Sequence, residues 1–180
     1  QYINELNDYS QLHSKKIVAI DPGKCDLIYC VDNSNKGANK YRYSQDRRRK
    51  ETKSKKYSKI LLGQKHTKIG EKNITEYETE LSKYNHKTLD ITKFKEYCSK
   101  KNEMNYHLFH FYEKTLFRKL KLNGYWNRLK SEQKMINQFR RIFGNAKDTI
   151  VCYGDFKQRK HMKFKEPIKG KGMRTLFRKS

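Results

Sequence analysis

The sequence predicts a mixed α/β (α+β) fold, with a small sheet built from the two ends of the chain and a long helical insertion between them. Three observations carry that prediction. Apolar runs of strand length, Lys16 to Ile20, Leu27 to Val31 and Thr149 to Tyr153, are each bounded by turn residues. Between the second and third lies a long stretch whose apolar residues recur at helical spacing. The chain has 180 residues, the size of one ordinary domain or a little more, so two separately cored domains of typical size are not expected.

Taken in order, Lys16-Ile17-Val18-Ala19-Ile20-Asp21-Pro22-Gly23 reads as a buried strand stopped by a carboxylate and then by two strong turn residues. Leu27-Ile28-Tyr29-Cys30-Val31 follows too closely for a helix to intervene, so the two strands should pair antiparallel. Asn33 to Asn39 is a turn-rich loop, and Tyr41-Arg42-Tyr43 a third, edge-like strand. From Asp46 the composition changes: Arg47, Arg48, Arg49, Lys50, Lys53, Lys55, Lys56 and Lys59 make a basic helix or arm. Ile74 to Tyr84 and Ile91 to Cys98 read as helices with thin apolar faces. Phe109, Tyr112, Leu116 and Leu120 fall at helical spacing, Asn123-Gly124 interrupts, and Trp126, Leu129, Ile136, Phe139 and Phe143 repeat the pattern. That predicts two successive amphipathic helices whose stripe is core. The insertion spans 46–144. After the helix stop Gly144-Asn145, the run Thr149 to Tyr153 restores the sheet and ends in Gly154-Asp155. Residues 156–180 read as a basic loop or tail.

Lysine and arginine number 43 against 19 acidic residues, a formal charge of +24. Charge of this size repels itself in a compact chain, and its common use is attraction of a polyanion, with nucleic acid the leading partner. The residues expected to neutralise phosphates are Arg47, Arg48, Arg49 and Lys50 in the first basic segment, and Lys157, Arg159, Lys160, Lys169, Lys171 and Arg174 in the second. No apolar run reaches the roughly 20 residues of a membrane span, and no signal-peptide pattern opens the chain. Cys25, Cys30, Cys98 and Cys152 form no Cys-x-x-Cys pair, so neither a zinc ribbon nor a disulfide framework is expected, and a reducing intracellular compartment fits. The chain begins at Gln1 and ends in an amphipathic stretch, as a piece of something longer would.

Two apolar strands far apart in sequence each deliver an aspartate at the carboxyl end, Asp21 and Asp155. If the strands are parallel neighbours, both carboxylates reach one rim, where Mg²⁺ is held by one or two carboxylates plus substrate phosphates. Two such ions stabilise the attacking and leaving oxygens of phosphodiester cleavage. Asp-Pro-Gly is equally a plain turn and Gly-Asp a plain loop, and it is the order of elements that raises the metal reading. Three antiparallel strands, a helical stretch and a strand bearing a second acid is the connectivity of an RNase H-like fold. His107 and His110, near Glu103 and Glu113, imitate metal spacing on a helix, but they lie among Leu108, Phe109, Phe111 and Tyr112 and read as packed or partly exposed histidines.

Ile17-Val18-Ala19-Ile20-Asp21-Pro22-Gly23 resembles the first motif of RuvC-type nuclease domains. Tyr153-Gly154-Asp155, followed by Lys165-Glu166-Pro167-Ile168-Lys169-Gly170-Lys171-Gly172-Met173-Arg174, resembles the Fanzor family, relatives of the transposon-encoded TnpB proteins. The resemblance implies a mobile-element-derived, RNA-guided, Mg²⁺-dependent DNA endonuclease with DNA and a guide RNA as partners. It covers about Lys16 to Val31 and Thr149 to Phe177. Asp21 is then the first metal ligand, and because Gly154 stands where TnpB relatives usually carry glutamate, Asp155 and Glu166 compete to be the second. The third acidic motif would lie beyond Ser180, leaving an RNase H-like core incomplete at its C-terminus and this chain alone inactive in cleavage. A catalytically inactive, basic nucleic-acid-binding remnant is the alternative.

Overall fold

The computed structural model describes residues 10–12, 14–34, 38–156 and 169–179. In chain order the elements are β1 (Lys16–Asp21), β2 (Asp26–Asp32), β3 (Lys40–Ser44), α1 (Gln45–Glu51), α2 (Ser54–Lys65), β4 (Lys68–Ile69), β5 (Lys72–Asn73), α3 (Ile74–Ser82), α4 (Ile91–Tyr112), α5 (Thr115–Phe143), β6 (Thr149–Tyr153) and α6 (Gly170–Lys179). The fold is mixed α/β. Two compact units divide it, Gln1–Thr52 with Asn127–Ser180, and Lys53–Trp126.

The first unit holds a four-stranded mixed sheet in the order β3-β2-β1-β6. Alternation along β1 buries Val18 and Ile20 and leaves Ile17, Ala19 and Asp21 exposed on the other face. β1 pairs antiparallel with β2, Ile20 opposite Cys30, and parallel with β6 from Lys16↔Thr149 to Ile20↔Tyr153. The close turn between β1 and β2 depends on Gly23. Its N–H donates to the Asp26 carbonyl at 2.8 Å, and a Cβ there would sit 2.8 Å from the same oxygen.

The core of this unit joins Val18, Ile20, Ile28, Cys30, Tyr41 and Tyr43 of the sheet to Met135, Ile136, Phe139 and Phe143 of α5 and to Met173 of α6. Tyr41 and Tyr43 therefore pack as strand residues. Burial pushes the Cys30 thiol and the Tyr41 phenol up, each to about 12. α5 ends at Phe143: the Gly144 N–H still donates to the Arg140 carbonyl at 2.8 Å, and the Gly144 φ of 100° then turns the chain out of the helix. The Thr149 hydroxyl donates to the Phe143 carbonyl at 3.0 Å, which ties the start of β6 to the end of the helix.

α1 begins at the Ser44 cap, whose Oγ accepts from the Arg47 N–H at 3.2 Å. From there α1 is fastened to the second half of α5 by polar contacts. Tyr43 and Ser131 share a 2.5 Å hydrogen bond, and the Ser131 hydroxyl donates to Glu51 at 2.5 Å. Glu51 also accepts from Arg47 Nε at 3.0 Å, and Arg47 reaches Gln138 at 2.6 Å. At the end of β2, Asp32 accepts from the Asn39 side chain at 2.7 Å and from Ser34 Oγ at 2.9 Å on the loop that follows, bonds that hold its carboxyl well below the usual carboxylate range.

The second unit has its own smaller core, Ile74, Tyr77, Met104 and Phe111, with Ile69, Leu81, Leu108 and Phe117 packed around it. Here α3 opens on a capping box in which Asn73 Oδ1 accepts from the Glu76 N–H at 2.9 Å and Glu76 accepts from the Asn73 N–H at 2.8 Å. α4 is capped by Asp90, which accepts from the Thr92 N–H at 2.9 Å. His107 stacks on Tyr77 at 4.9 Å between ring centroids, and His110 lies 3.0 Å from Glu113.

Three expectations require correction. Asn123-Gly124 does not interrupt a helix: α5 runs unbroken from Thr115 to Phe143, because one helix-interior glycine costs only about 1 kcal/mol, and the break falls instead at Glu113 and Lys114. The apolar stripe is only partly core. Phe109 is 67% exposed and Trp126 52%, whereas Met135, Ile136, Phe139 and Phe143 are buried. Residues 170–179 form a helix rather than a loop, since Met173, Leu176 and Phe177 at helical spacing bury one face against the sheet core.

Candidate functional site

The rim at the carboxyl ends of β1 and β6 is built by their parallel register. Ile20 stands opposite Tyr153, so the residues that follow, Asp21 and Gly154, come level as the strands end. The Gly154 N–H donates to the Ile20 carbonyl at 2.9 Å, holding the two strand ends together. A Cβ on Gly154 would meet Pro22 Cδ at 3.0 Å and the Ile20 carbonyl oxygen at 3.3 Å. The Asp-Pro-Gly turn thus takes the space a side chain at 154 would need, and no acid can stand directly after β6 without moving it. Gly154→Ala is expected to lower stability by about 1–3 kcal/mol in urea unfolding, the range for overpacking a filled site. A loss below the error of extrapolation would show that Pro22 gives way.

Asp21 is an exposed carboxylate at this rim. Asp155, one residue beyond Gly154, accepts from Arg174 at 2.9 Å, and the Arg174 guanidinium lies 5.4 Å from the centroid of the Tyr153 ring. Nearby Arg174 favours the ionised phenol, but burial dominates and pushes the Tyr153 hydroxyl up. Sequence reasoning placed Arg174 among the phosphate contacts and missed it as the partner of Asp155. Its signal was the Met173, Leu176 and Phe177 spacing, which folds α6 onto the sheet and carries Arg174 to the rim. Glu166 lies outside the described residues, as do Lys157, Arg159 and Lys160, and so does the side chain of Lys171.

The first basic segment is divided in its roles. Arg47 is engaged by Glu51 and Gln138, and Arg48 makes a two-pronged contact with Glu132 at 3.2 and 3.1 Å. The Arg48 side chain keeps only 12% of its exposure, so it clamps α1 to α5 rather than facing solvent. Arg49 pairs with Asp46 at 3.3 Å. Lys50 is exposed. Lys169 is half-buried at the start of α6, where its carbonyl accepts from the Met173 N–H at 3.0 Å.

Among the described residues no group of three or more His, Cys, Asp or Glu side chains comes together to hold a metal ion. Asp21 offers one carboxylate and Asp155 is held by a cation, a donor set too small for Mg²⁺ by itself. No helix among the described residues is long and apolar enough to cross a membrane. The sequence matches no protein-family model and no curated protein.

Proposed function

We propose that this chain is the RuvC-like part of a mobile-element-derived, RNA-guided DNA endonuclease, with Asp21 as the first Mg²⁺ ligand. The observation that carries the reading is the parallel pairing of β1 with β6, which sets an exposed carboxylate at the end of the central strand beside the second motif strand. The connectivity supports it: an antiparallel meander β1-β2-β3, then helices, then a strand parallel to β1 in the order β3-β2-β1-β6 is that of the first four strands of an RNase H-like sheet. Asp155 and Glu166 remain the candidates for the second ligand.

Mn²⁺, a paramagnetic stand-in for Mg²⁺, tests the site in this chain. The Asp21, Gly23 and Gly154 amide signals should broaden first on titration, and Asp21→Asn should remove that selectivity. Broadening centred elsewhere, or unchanged in Asp21→Asn, would overturn the assignment of Asp21. A second reading, nucleic-acid binding without cleavage, is favoured by the Asp155–Arg174 ion pair, because a ligand aspartate already neutralised by arginine has less to offer a cation. Both readings require binding driven by phosphate contacts, since the formal charge is +24. The observed DNA affinity should therefore fall linearly on a log–log plot against salt, with a slope of about −0.9 per phosphate neutralised. A flat response would remove both.

A further inference from the structure

We propose that the outward face of α5 between Arg118 and Trp126 is a stacking platform for single-stranded nucleic acid. Arg118, Leu122, Tyr125 and Trp126 are spaced four, three and one apart, so they share one side of the helix, and all four are exposed. Tyr125 and Trp126 keep 47% and 52% of their surface open and meet edge to face at 5.7 Å between centroids. Lys119 and Lys121, also exposed, flank them. On the other side of the helix Gly124 faces Tyr57 of α2, whose ring carbon would lie 4.0 Å from a Cβ at that position. Packing within this unit therefore uses the Gly124 side and leaves the aromatic side open.

Charge selects the occupant. From Lys114 to Ser131 the sequence contains no acidic residue, so the aromatic pair sits in an entirely cationic stretch. A protein or membrane surface would be met by a continuous apolar face without charge, but here the exposed Leu122 and Leu129 accompany two aromatics that carry polar atoms and are flanked by cations. A polyanion with unpaired bases satisfies both features, the phosphates meeting the cations and the bases stacking on the rings. A duplex offers only the phosphates.

Trp126 is the single tryptophan of the chain and reports directly on the platform. In the full chain at low salt, oligo(dT) and oligo(U) should quench its fluorescence, and a duplex with the same number of phosphates should bind with little quenching. Tyr125→Ala and Trp126→Ala should each weaken single-strand binding about tenfold, in labelled-oligonucleotide anisotropy, and leave duplex affinity within about twofold. Trp126→Phe should recover most of the loss. Equal losses on single strand and duplex, or the absence of quenching, would overturn the proposal. So would a blue shift on phosphatidylserine vesicles without quenching by either oligonucleotide, which would assign the face to a membrane. Neither the platform nor its test involves Asp21 or a metal ion, so its failure is distinct from failure of the nuclease reading.

Discussion

Phe143→Ala should lower the unfolding free energy by about 3–5 kcal/mol, the range for truncating a buried phenylalanine to alanine. Phe143 is 2% exposed and packs against Phe139 at 4.9 Å between ring centroids. It also occupies the last turn of α5, where its carbonyl accepts from Thr149 at the start of β6. Removing the ring therefore leaves a cavity under the strand that stands beside Asp21. Single domains are commonly stable by about 5–15 kcal/mol, so a loss of this size takes much of the margin. Urea unfolding measures the total, and hydrogen exchange locates it: protection at Val18 and Cys30 should fall. Phe143→Leu, which keeps much of the volume, should cost distinctly less. An alanine variant within about 1 kcal/mol of the parent would mean that the site collapses around the deletion.

The sheet was legible because strand runs stopped by Pro-Gly or Gly-Asp carry local information. Lys16 to Ile20 and Thr149 to Tyr153 are parallel neighbours as their apolar character predicts. The helices were legible in existence and less so in detail. Gly124 reads as a breaker locally, yet a helix of 29 residues continues through it. Apolar spacing likewise does not distinguish a buried face from an exposed one, so Phe109 and Trp126 looked like Phe139 and Phe143. The roles of the arginines were the least legible. Arg47 reaches Gln138 and Arg48 reaches Glu132 across more than eighty residues of sequence, and no local pattern encodes such pairings. A run of like charge reads as a solvated or phosphate-binding face, when part of it here fastens a helix. At the rim, Asp21 was legible from its strand, but the Arg174 partner of Asp155 depended on a helix that glycines and lysines disguised as a tail.

The same fastening gives the second large effect. Glu51→Ala should lower stability by about 2–3 kcal/mol, since it removes an acceptor used by both Ser131 and Arg47 and leaves a half-buried guanidinium with Gln138 as its remaining neutral acceptor. Burial alone would raise the Glu51 carboxyl, but the hydrogen bonds from Ser131 and Arg47, with the charges of Arg47 and Lys134, outweigh it and hold the group below its ordinary value. A carboxyl depressed in the folded state binds its proton more readily when unfolded, so its contribution is complete above the unfolded value of about 4.3 and is lost as pH falls through the folded value. Glu51→Gln keeps the shape and an acceptor oxygen but cannot ionise. Its stability should lie below that of the parent at neutral pH, and the gap should narrow as both are acidified below about pH 4. Urea unfolding at a series of pH values measures that gap. A gap of constant size down to pH 3 would show that Glu51 acts by packing alone, whereas closure would show that the ionised carboxylate, held between Arg47 and Ser131, keeps α1 on α5 beneath the sheet.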